Sequence, residues 1–138
     1  GGGADVIVLA ATASANGADT ISTFTSGGTD KIDVSAFSDG SAVITFTGAL
    51  TWTANKVYAL VGQAAGAADG AAAAAMTISG AGTLTDTANT SWFLISDNNS
   101  AAIYEVTGDG GGDEAAGDTF TLVATINNTV AAGDLTVA

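Results

Sequence analysis

Four aspartates, Asp5, Asp19, Asp30 and Asp33, fall within 29 residues near the start of the chain, each beside a glycine or just ahead of a β-branched run. Carboxylates so spaced, if packed on adjacent turns, repel one another unless a cation joins them. Glycine lets the backbone turn tightly and aim its carbonyls inward, so turns of this type present both carboxylate and carbonyl oxygens. The chain contains no Cys and no His. Their absence argues against zinc, haem and thiol-redox sites, and the metal chemistry left is oxygen ligation of a hard cation, with calcium as the expected ion.

A second acidic stretch runs from Gly108 to Asp118, GDGGGDEAAGD. It lacks the ligand order of an EF-hand and its closing bidentate Glu. It reads first as a solvated acidic loop, with ligation by Asp109, Asp113 and Asp118 as the alternative. Catalysis finds little support: no His is present for a triad, and Glu105 and Glu114 are the only glutamates. Glu105 is expected on the same strand face as Ile103, as a strand-edge residue or a partly buried ligand.

Turn and strand signals set the elements that position these groups. GGGAD leads into VIV at 6–8, and NGAD into TIS at 20–22. AVITF and LTWT flank Gly48 as an expected strand pair, followed by strands at 56–61, 91–96, 101–107 and 120–126 and a short one in DLTV. DNNS at 97–100 is a hairpin turn between two β runs. The alanine run Ala71 to Ala75, with Met76 and Ile78, predicts the only helix, a plug on the sheet with Asp69 as N-cap and Gly80 as stop. The expectation is eight to nine strands and one short alanine-rich helix.

The quoted turns resemble the last calcium repeats and C-terminal cap of RTX (repeats-in-toxin) proteins. There, a GGxGxDxUx turn is followed by a segment like GADTITDFxxGTDKIDLSAF; this chain reads Gly1, Gly3, Asp5 and Ile7, then GADTISTF at 17–24 and GTDKIDVSAF at 28–37. The resemblance implies calcium ligation by Asp5, Asp19, Asp30 and Asp33, with Gly1 and Gly3 as carbonyl donors. Thr23 stands where the family usually has Asp, which removes one ligand. Asp5 and Asp19 are fourteen positions apart, whereas stacked coils repeat about every eighteen residues, so the ladder is expected to be ending here. The resemblance also implies export by type I secretion machinery. The fold expected is mostly β: a calcium β-roll remnant and cap over 1–39, continuous with a β-sandwich-like sheet over 40–138 in one domain.

With 14 acidic and 2 basic residues the net charge is -12, on a chain that is 47% hydrophobic. That apolar share argues against a disordered acidic tail. Two lysines cannot form a phosphate-binding surface or hold an anionic membrane, so nucleic acid and membrane insertion are not expected. The chain opens in mid-repeat and shows no signal peptide, so it is read as the end piece of something longer. The expected function is a non-enzymatic, calcium-dependent structural module at the surface of a bacterium or outside it, self-assembling into a layer or filament. The alternative is the secretion and folding tail of a larger RTX enzyme or adhesin. A carbohydrate-binding module would need Trp52, Trp92 or Tyr104 exposed on a sheet face.

Overall fold

The computed structural model describes residues 3–46, 50–81, 84–85, 88–111 and 117–137. The chain is mostly β. Its elements are β1 (Val6–Val8), α1 (Ala13–Asn16), β2 (Asp19–Ile21), β3 (Lys31–Asp33), β4 (Ile44–Thr45), β5 (Leu50–Thr51), β6 (Val57–Gln63), α2 (Ala71–Gly80), β7 (Leu84–Thr85), β8 (Thr90–Asp97), β9 (Ala101–Thr107), β10 (Thr119–Ile126), a 3-10 turn (Ala132–Asp134) and β11 (Leu135–Thr136).

The first strands alternate between two sheets. β1 and β3 belong to a three-stranded parallel sheet in the order β1-β3-β11, while β2 and β4 lie at opposite edges of a six-stranded sheet in the order β2-β10-β9-β8-β6-β4. This is a coil of β-roll type, with a rung longer than expected. Val6 lies opposite Lys31, so like positions are 25 residues apart. Asp5 is therefore matched with Asp30, and Asp19 stands on the other sheet. The extra length holds α1, which the sequence reading missed: Thr12 caps it through Oγ1, and Gly17 ends it in the left-handed conformation at φ 66°. One helical turn in ATASAN carries no periodicity from which to predict it.

The six-stranded sheet is buried on both faces, which is why β8 reads TSWFLISD with no polar alternation. One face carries Val57, Ala59, Trp92, Leu94 and Ile103 against Leu9, Phe24, Ile32, Val34 and Leu135 of the coil and cap. The other carries Tyr58, Leu60, Phe93, Ile95 and Tyr104 against Ala74 and Ile78 of α2. The layers are thus small sheet, large sheet and helix. α2 is the plug expected from the alanine run, but its N-cap is Gly70, at φ 108°, instead of Asp69, and Gly80 is its last residue. The DNNS hairpin forms as expected, with Ser96 opposite Ala101.

One pairing expectation is corrected. The strands flanking Gly48 do not pair with each other: β4 pairs in parallel with β6, and β5 with β7. Ile44 and Phe46, at β4, pack with the core on the α2 side of the large sheet, which holds β4 beside β6. Trp52, Trp92 and Tyr104 are 1%, 0% and 2% exposed, so none offers a face to a sugar. Phe37 stacks on Trp92 with centroids 4.6 Å apart, and Trp52 meets Phe93 edge-on.

Candidate functional site

The aspartates of the coil divide by what surrounds them. Asp5 and Asp19 are exposed. Asp30 is buried and accepts the backbone N–H of Asp5 at 3.2 Å and of Thr25 at 2.9 Å. Those two bonds, Asp5 first, hold its carboxyl below the ordinary aspartate range. Asp33, at the end of β3, accepts the N–H of Ser35 at 2.9 Å, and Ser35 lowers its carboxyl also. Gly3 is exposed and its carbonyl accepts from Thr29 Oγ1. Gly1 lies outside the described residues.

The second acidic loop is tied by its own backbone. Asp109 accepts from the N–H of Gly111 at 2.7 Å and its own N–H donates to Asp118 Oδ1 at 3.1 Å. Asp113 and Glu114 lie outside the described residues. Among the described residues, no three acidic side chains gather where they could hold a metal ion.

Asp134 completes the cap and was not singled out from the sequence. It is 2% exposed. Its carboxylate accepts from Ser26 Oγ at 2.7 Å, from Gly27 N–H at 3.1 Å and from Ala131 N–H at 2.9 Å. Lys31 Nζ lies 3.7 Å from Oδ1 and donates to the Gly133 carbonyl at 2.8 Å. Burial would raise this carboxyl; the bonds from Ser26, Ala131 and Gly27 and the Lys31 charge outweigh it and lower it. Asp30 and Asp134 thus grip the loop Thr25–Gly27 from two elements. The available signal was register: β11 pairs in parallel with β3, so GDLTV at 133–137 forms a further rung beside TDKID.

Asp97 does similar work at the hairpin. It accepts from the N–H groups of Asn99 and Ser100 and from Gly66 N–H at 2.8 Å, joining the turn to the loop before α2. Burial opposes its charge, but Asn99, Ser100, Gly66 and Ala68 prevail and lower it. Glu105, on central strand β9 rather than at a sheet edge, accepts from Ala13 N–H at 3.0 Å and Trp92 Nε1 at 3.3 Å. It fastens α1 to the large sheet.

Calcium takes about six to eight oxygen ligands. At Asp30 and Asp134 the carboxylates instead meet N–H and O–H donors and an ammonium, so these two do not fit a metal ion. What the geometry defines is a β-roll coil closed by a carboxylate-anchored cap. The chain belongs to the family described as Peptidase M10 serralysin C terminal, which matches residues 1–86. That region is the RTX-type, non-catalytic C-terminal part of secreted proteins and is in general calcium-binding. Searches of curated proteins and of solved structures find no match. Among the described residues no helix is long and apolar enough to cross a membrane.

Proposed function

We propose that this chain is the secretion and folding tail of a larger RTX-type protein, exported by type I machinery, whose active part lies upstream. The observation that carries this reading is the family match over 1–86, which covers the coil through β3 and the segment holding β6 and α2. The coil's first strands also suit it: β1 and β2 are each the edge strand of a sheet. Calcium ligation, on this reading, belongs to Asp5 and Asp19, whose carboxylates are exposed. The test is a slow-folding passenger, one that reaches the exporter unfolded, fused ahead of Gly1 in cells with a type I exporter. Passenger in the medium, lost when residues 1–138 are removed, supports the reading; retention in the cell overturns it.

A second reading, self-assembly into a surface layer, is favoured by one observation. Val6 and Val8 on edge strand β1 are 61% and 68% exposed, and no proline blunts that edge. Electron microscopy of the purified chain in calcium and then in chelator separates the two. Ordered arrays that vanish on chelation favour assembly, and a monomer in both favours the tail.

A further inference from the structure

The net charge of -12 leaves the chain with two cations, Lys31 and Lys56. Each is engaged. Lys56 donates to Asp39 at 2.6 Å and to Ser41 Oγ. Lys31 reaches from the first residue of β3 to the turn before β11, where Gly133 offers a carbonyl and Asp134 a buried carboxylate. A glycine carbonyl and an aspartate carboxylate, contributed by one turn and facing the neighbouring rung, are the kinds of oxygen that hold calcium between turns. Here they meet an ammonium, and the other acceptor positions of Asp134 are filled by Ser26, Gly27 and Ala131.

We propose that Lys31 is the resident cation of this junction: its ammonium closes β11 and the 25–27 loop onto the coil, so that the C-terminal end of the cap needs no metal. This refines the RTX-type tail reading by dividing the molecule into an end that responds to calcium and an end that closes on its own charge. The arrangement fits the register, because Lys31 precedes Ile32, which pairs with Leu135. It also fits the hydrogen bond from Val34 N–H to the Thr136 carbonyl at 3.0 Å. A side chain covalently part of the chain is always present, whatever the free calcium.

The test is amide hydrogen exchange of the full chain, read by mass spectrometry over 24–34 and 130–137 in millimolar calcium and in excess chelator. Wild type is expected to keep its protection of both segments after chelation. Lys31→Met should exchange faster there by about two- to fivefold, the effect of losing a partly exposed ion pair and hydrogen bond. Lys31→Arg should restore protection, and Lys56→Met, an equal change of net charge, should leave these segments alone. Wild-type protection that collapses on chelation overturns the proposal, as does Lys31→Met exchanging like wild type. Should Lys31→Met fail to fold, recovery by Lys31→Arg together with chelator-indifferent wild type supports it, and failure of either overturns it. Passenger export, measured separately, decides the tail reading whatever these segments do.

Discussion

Asp30 accepts the backbone N–H of Asp5 at 3.2 Å, and the Asp5 carbonyl accepts the N–H of Lys31 at 2.8 Å. Two aspartates at the same position of adjacent rungs are therefore joined through one side chain and one backbone. Asp30→Asn would leave an amide N–H facing either Asp5 or Thr25, both donors. The expected outcome is a melting temperature a few degrees below wild type in calcium and in chelator alike, followed by far-ultraviolet circular dichroism. A loss confined to calcium-loaded samples would return Asp30 to the metal ligands.

Acid should unfold this protein through its anchors. Asp30, Asp33, Asp97 and Asp134 all titrate below the ordinary value of 3.8 when folded. The unfolded chain then binds protons more readily than the folded one, so their stabilisation is complete above 3.8 and is lost as pH falls towards the lowered values. Melting temperature should hold from neutral pH to about 5 and then decline. Asp134→Asn should start lower and decline less steeply, which a series of melts between pH 7 and 2 would reveal.

Asp97 is 2% exposed and serves three backbone N–H donors. Asp97→Ala leaves them without an acceptor, at a cost of about 3 kcal/mol. For a chain of this size that is a fall of about 10 °C in melting temperature. Because Gly66 lies between β6 and α2, exchange protection of the loop before α2 should drop with it. A change confined to the hairpin would mean that Gly66 is held by other means.

Val6→Lys with Val8→Lys tests the exposed edge. Both side chains are solvated, so stability should move by no more than about 0.5 kcal/mol for each change. If β1 pairs with a second copy, the double variant should be monomeric under conditions where wild type associates, since lysine on an edge strand opposes pairing. Sedimentation of both proteins decides, and equal association by the two excludes this edge as the contact.

The coil, the hairpin and the alanine helix were legible because each depends on neighbours in sequence: Gly-Asp turns, Asn-Asn between β runs, and a run of strong helix formers. The pairing of β4 with β6 and of β5 with β7 was not, since these parallel partners are not joined by a short turn that sequence could signal. Asp30 illustrates the same limit at the site. Its residue type and spacing suit a metal ligand, yet whether the carboxylate meets an ion or an N–H depends on Thr25 and Asp5 being brought to it. Asp134 was hidden because its partners Ser26 and Gly27 lie over a hundred positions earlier.

β3 sits between β1 and β11, and the bond from Thr136 Oγ1 to the Ile32 carbonyl spans 104 positions. The small sheet therefore cannot be completed until both ends of these 138 residues are together in one place. Such non-local closure slows folding, because the entropy of bringing distant segments together is lost before their contacts form. A chain still passing through a narrow channel would remain without its final strand. On the proposed export reading, its collapse into the layered form would wait for release.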